Sequence, residues 1–359
     1  MNARSLLAIL FATASLHAAD WYVAQDGNDA WSGKLSAPNA AKTDGPFATL
    51  AKARDAIRGV KEKRTVHIRG GLYELPQGLK FSAEDSGTKD APVVWQAFEK
   101  ETPLLIGGRV ISDWKPWRDG ILQADVGKGV AFKQLLFNGQ RQVLARYPNF
   151  DATNPIAGGW AYADGEMWPM YADKDGEDRR TLKVRKSDWR KWSRPEDVEV
   201  FVFPRYNWWN DIVRVKSVDE SSSTVTTAKD ASYAMRANDR YYFQGAIEEL
   251  DAPGEWYLDQ QTSTLFFKPS APIDSAKAYA PTTSDILRFD GTEYITVRGL
   301  TFECAEGSAI SFSKANHNRV IALGFQQIPA EKIGPYASPD RATWPIVEAS
   351  GAREMPAGK

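Results

Sequence analysis

The chain has 359 residues, 43% of them hydrophobic and 25% charged, which leaves room for two or three domains or one long repeat. Lysine and arginine number 45 against 46 acidic residues, a formal charge of −1, so nothing in the balance points to nucleic acid or to an anionic membrane. The 13 tryptophans are unusual, and nine of them fall between Trp114 and Trp256, which suits a wide β core or a ring surface for stacking.

Residues 1–19 read as a secretory signal peptide. Arg4 supplies the charged start, residues 6–12 (LLAILFA) the apolar stretch, and Ala18 with Ala19 a small-residue cleavage zone. The apolar run is too short to span a bilayer, so the mature protein is expected to be soluble and secreted or periplasmic. Residues 21–24 predict a first strand and residues 26–29 (DGND) a turn. A short helix is expected within 45–58, with Leu50, Ala53 and Ile57 on one face. A repeat fold needs its open end covered, and this helix is placed to cap it. Residues 65–73, 79–81 and 92–98 follow as short strands between turns.

From about 113 to 280 the pattern changes to longer strands with hairpin punctuation. Residues 132–137 lead into Asn138-Gly139, a type I′ turn signal, and residues 142–146 return. Residues 198–203, 211–216, 255–259 and 264–268 are further strands. The charged stretch 173–197 reads as a solvated loop and a short helix.

The short rhythm then resumes. Val297, Leu300 and Phe302 match Val320, Leu323 and Phe325 at a shift of 23 residues, with a third short strand at 309–312 and a polar turn at 316–318 between them. A period of this size without an intervening helix predicts a right-handed parallel β-helix; the bland alternative is two similar strands of an ordinary sheet. Residues 329–359 carry five prolines and only six Val, Ile, Met, Trp or Tyr residues, so they are expected to be irregular and to supply no strands. The expected class is all-β. Its parts are a signal at 1–19, cap and first coils at 20–112, an inserted β-sandwich at 113–280, resumed coils at 281–328 and an irregular tail at 329–359.

Only His67 and His317 remain after the signal, beside a single cysteine, Cys304. This excludes an internal disulfide and makes a His/Cys zinc site or a Ser-His-Asp triad improbable, and no metal or cofactor is expected. Catalysis would have to run on Asp and Glu, or on Lys, Arg and Tyr. Glu248, Glu249, Asp251, Glu255 and Asp259 cluster beside Pro253-Gly254, where turn stabilisation is the better reading than catalysis. The leading binding candidate is residues 205–211 (RYNWWND): Arg205, Tyr206, Trp208, Trp209, Asn210 and Asp211. Neighbours on a strand face opposite sides, so one of the two tryptophans is expected to be exposed for sugar stacking and the other buried. Arg146 and Trp160 are further candidates, with packing as the competing role.

Residues 21–29 (WYVAQDGND), 45–50 (GPFATL), 136–141 (LFNGQR), 145–149 (ARYPN) and 250–259 (LDAPGEWYLD) together resemble the secreted bacterial right-handed β-helix proteins related to glycoside hydrolase families 120 and 141. The resemblance covers roughly residues 20–328. It implies carbohydrate chemistry, an oligo- or polysaccharide partner and a β-sandwich inserted early in the helix. Members of that family continue for more coils and carry their catalytic carboxylates on them. None can therefore be carried over to a residue here, and the chain looks like a truncated member without glycosidase activity of its own. A polysaccharide lyase, with a basic residue or tyrosine near a uronate, and a non-catalytic sugar-binding protein stay open as alternatives.

Overall fold

The computed structural model describes residues 19–206, 208–321, 324–326 and 347–349. The signal reading at 1–18 lies outside them, as do Leu323 of the repeat and most of 329–359. The described chain is all-β, with one α-helix, Leu50–Ile57, and a few 3₁₀ turns. Thr49 caps that helix by accepting the Lys52 N–H at 3.1 Å, and Leu50, Ala53 and Ile57 are its buried face.

Three sheets are built from short strands in parallel register. The first runs through Ala19–Val23, Arg64–Ile68, Val93–Ala97, Ile295–Arg298 and Asn318–Ile321. Its register stacks Trp21, Val66, Trp95, Val297 and Val320 in one inward row. The second joins Gly71–Glu74, Pro103–Ile106, Thr301–Glu303 and Gly324–Gln326. The third joins Leu79–Phe81, Asp285–Asp290 and Ser308–Ser313. In it the rings of Phe81, Phe289 and Phe312 stack at 4.7 and 5.0 Å. All three rows feed one core, in which each fully buried Val, Leu, Ile or Phe contributes roughly 1.5–3 kcal/mol.

The 23-residue shift is the register itself: Val297 lies beside Val320 and Phe302 beside Phe325. Asn318 makes that spacing rigid. Its buried amide accepts the Ile295 N–H at 3.0 Å and donates to the carbonyl and hydroxyl of Thr292, both at 3.0 Å. One expectation needs correction. Within the tail expected to lack strands, Val347–Ala349 pairs antiparallel with Asn318–Ile321. Unpaired N–H and C=O groups along a strand edge recruit any segment that can reach them, with little demand on its sequence.

Residues between the parallel segments form mainly antiparallel sheets, with one parallel pair, Val143–Leu144 beside Glu255–Asp259. Gly108–Ile111 pairs with Ala278–Pro281, closing this block at both of its ends. The approach is tight, since a Cβ on Gly108 would sit 1.9 Å from the Ala280 carbonyl oxygen. The Asn138-Gly139 turn has φ of 52° and 65°, as a I′ hairpin requires, between Leu136–Phe137 and Gln140–Arg141. The strand expected from 132 begins only at Leu136, and in place of the short helix expected within 173–197 there are two 3₁₀ turns, Lys186–Asp188 and Pro195–Asp197. A five-stranded sheet containing Glu255–Asp259 and Thr264–Lys268 covers one core around Trp256 and Phe267. A seven-stranded sheet containing Glu199–Val202, Asp211–Asp219 and Arg240–Gln244 covers another around Tyr241 and Phe243.

The block is tied to the parallel sheets by polar contacts as well. The Tyr279 hydroxyl donates to Glu303, whose carboxyl is pushed up by burial, and the Gln134 amide donates to the Ala305 carbonyl at 3.3 Å.

Candidate functional site

The turn between strands Glu199–Val202 and Asp211–Asp219 carries the leading candidates. Its geometry begins with Arg205, which sits in the left-handed region at φ 58°. Asp239 holds it there. One carboxylate oxygen accepts both the Arg205 and Arg236 N–H groups at 2.7 Å, and burial pushes this carboxyl up to about 6. The Arg205 guanidinium donates to the Met170 carbonyl and to Asp173, each at 2.8 Å.

Above this base lies an open ring surface. Tyr206 stacks on Trp208 at 4.7 Å and 23°, and Tyr233 meets Tyr206 edge-on at 4.9 Å. Tyr171 leans on Tyr206 at 6.1 Å and is 76% exposed. Trp209 donates its indole N–H to Ser232 at 3.0 Å, and Ser232 donates its own N–H and hydroxyl to Asp211 at 2.8 and 2.9 Å. Asn210 is exposed at the same turn.

The expectation of one exposed and one buried tryptophan is corrected here. Trp208 is 53% and Trp209 54% exposed. The alternation rule applies to a pleated strand, and residues 208–210 form the turn before the strand starts at Asp211. Tyr171, Ser232, Tyr233 and Asp239 were missed from sequence, because they come from separate loops and share no spacing with residues 205–211.

Arg146 and Trp160 come together elsewhere, on the outer face of the seven-stranded sheet. The Trp160 ring packs among Phe201, Phe203 and Tyr242 at 5.9, 5.7 and 5.4 Å, and its N–H donates to the Ile156 carbonyl at 3.2 Å. Arg146 is buried, lies 3.5 Å above the Tyr242 ring, and donates to the carbonyls of Pro148 and Gly159. Desolvation lowers its pKa.

The acidic cluster has structural duties. Glu255 accepts the N–H groups of Asp251 and Ala252 at 3.1 and 3.0 Å across the turn, and burial pushes it up to about 7. Glu249 takes Arg190 bidentately and the Trp192 indole N–H at 2.7 Å. Glu248 accepts the Ser193 N–H, Asp251 the Asn149 amide, and Asp259 the Gln261 N–H.

No family model matches the chain, and no curated protein matches it in sequence. Among solved structures, one titled "Glycoside hydrolase" superposes with a TM-score of 0.63 at 21% identity, over 80% of this chain and 51% of that one. This chain thus spans about half of that enzyme's length, and the likeness is one of fold. A xylose complex of XylC gives a TM-score of 0.33 at 15% identity, over 80% of this chain and 35% of that one. An Acinetobacter baumannii bacteriophage tailspike bound to a capsular saccharide gives 0.16 at 9% identity, over 76% and 34%.

Proposed function

We propose that this chain is part of an exported carbohydrate-active protein of the glycoside hydrolase class. In this reading the three parallel ladders are coils of a right-handed parallel β-helix and residues 113–280 are an inserted β-sandwich. The ring surface around Trp208 then binds an oligo- or polysaccharide. The observation that carries the recognition role is the exposed Trp208 ring stacked on half-buried Tyr206, held on a turn fixed by Asp239. Sugar rings present C–H faces that pack on aromatic rings, while their hydroxyls take hydrogen bonds from polar groups at the rim. Asn210 is an exposed polar group at this rim. The fold likeness to a glycoside hydrolase supports the class.

Recognition is assigned to this surface, and the acidic cluster around Glu255 is assigned structural roles rather than turnover. A glycosidase needs a facing carboxylate pair about 5–9.5 Å apart with oxygens free for sugar and water. Glu249, Glu255 and Asp259 spend theirs on arginine, indole and backbone N–H groups.

Calorimetric titration of the full chain with a panel of oligosaccharides tests the recognition role. Trp208→Ala should weaken binding by about 1 kcal/mol, roughly fivefold, with little change in melting temperature. Trp209→Ala should behave similarly, because its ring is equally exposed. Binding that survives both substitutions unchanged would remove the ring surface as the site.

A further inference from the structure

The outer face of the seven-stranded sheet has a charge imbalance that the ring surface lacks. Around Trp208 the cations are neutralised: Arg205 pairs with Asp173 and Arg236 with Glu177. On the sheet face, Arg146 and Arg240 make no ion-pair contact with a carboxylate among the described residues, and Glu255 acts on Arg146 only at longer range. Arg146 donates to two loop carbonyls and Arg240 to the Ile156 carbonyl at 3.2 Å. The Arg240 Nε–H is buried without an acceptor.

Both guanidinium groups lie against rings. Arg146 covers Tyr242 at 3.5 Å, and Arg240 covers Phe203 at 4.1 Å and Trp160 at 4.9 Å. The two carboxyls that act electrostatically on Arg146 and on Tyr242 are otherwise committed. Glu255 receives the Arg146 backbone N–H at 3.4 Å and holds its proton up to about 7, and Glu199 receives the Gln244 amide at 2.9 Å. Arg146 is desolvated and Arg240 half-buried with its Nε–H enclosed; a guanidinium so placed without a counter-ion gains from an added oxyanion, and the planar fork favours carboxylate or sulfate.

This face adjoins the ring surface through the backbone. Phe203 donates its N–H to the Arg240 carbonyl at 3.0 Å, and the next residue back, Asp239, holds the Arg205 turn. We propose that Arg240, with Arg146 beside it across Trp160, is an oxyanion subsite that takes the carboxylate or sulfate of an acidic sugar bound on the Trp208 surface. The proposal rests on the recognition role given to that surface and names its substrate class as anionic glycan.

The test uses the full chain and three matched probes: a neutral oligosaccharide, its uronate counterpart and a sulfated counterpart. An acidic probe should bind about tenfold or more tightly than the neutral one, with affinity falling as salt rises. Which acidic probe responds tells carboxylate from sulfate. Arg240→Gln should bring the acidic probe down to the neutral level and leave the neutral probe unchanged. Arg240→Lys should retain part of the difference, and each variant's melting curve shows whether it folds. Equal binding of neutral and acidic probes, or a folded Arg240→Gln chain with the full acidic preference, would overturn the subsite. The two arginines would then only staple the 148–160 loop. Trp208→Ala separates the two claims: it should weaken neutral and acidic probes alike. If it weakens neither, the ring surface is not the site and the subsite falls with it. If it weakens both while Arg240→Gln does nothing, the surface stands and the subsite alone is wrong.

Discussion

Phe289 is the most informative single perturbation of the fold. Its ring is 1% exposed and stacks between Phe81 at 4.7 Å and Phe312 at 5.0 Å. Phe81 precedes the antiparallel block in sequence and Phe289 follows it, so this stack joins chain segments about two hundred residues apart. Truncation to alanine removes a fully buried ring and opens a cavity whose walls are two other rings. Phe289→Ala should cost about 3–5 kcal/mol, including the loss of both ring pairs. Phe289→Leu keeps most of the volume and should cost about 1–2 kcal/mol. Phe312 is half-buried at the far end of the described stack, so Phe312→Ala should cost roughly half as much as Phe289→Ala. Urea unfolding of the full chain, followed by tryptophan fluorescence, measures all three at unchanged slope. If Phe289→Ala costs under about 1 kcal/mol, or no more than Phe312→Ala, the stack is not the joint we take it to be.

Asn318→Ala should destabilise the chain by about 2–4 kcal/mol, because it orphans the buried Ile295 N–H and a Thr292 acceptor; a loss below about 0.5 kcal/mol would show that water replaces the amide. Thr49→Ala should lower stability by about 1 kcal/mol through the lost helix cap, read as a shift in the urea midpoint. Glu255 titrates at about 7 when folded against an ordinary 4.5, so the folded chain holds a proton there that the unfolded chain has released. Stability should therefore fall as pH rises from about 4.5 to about 7 and level off above, and Glu255→Gln should remove one proton's worth of that slope. A pH profile identical to that of the unsubstituted chain would contradict this environment for Glu255.

Short-range features were readable in the sequence because their causes are local. The Asn138-Gly139 hairpin follows from two residues that tolerate positive φ. The buried face of Leu50, Ala53 and Ile57 follows from helical spacing. The match of Val297 and Phe302 to Val320 and Phe325 became the register because each parallel strand stacks on its own type one turn of chain later. The turn-stabilising role of Glu255 and Asp259 beside Pro253-Gly254 was readable for the same reason.

Tertiary structure decided what spacing along the chain does not encode. Whether Trp208 and Trp209 are both exposed depended on where the strand begins, which hydrogen bonding to neighbouring strands sets. The Asp239 carboxylate reaches Arg205 from 34 residues away, and Tyr171 reaches Tyr206 from another loop. The pairing of Val347–Ala349 had no signature in a proline-rich stretch, since backbone groups at an open edge ask little of side chains. Sequence alone determined the class, the repeat and the turns, where each residue's own backbone preference is enough. The ring surface around Trp208 was assembled only where distant loops met, because exposure and charge compensation are properties of neighbours in space.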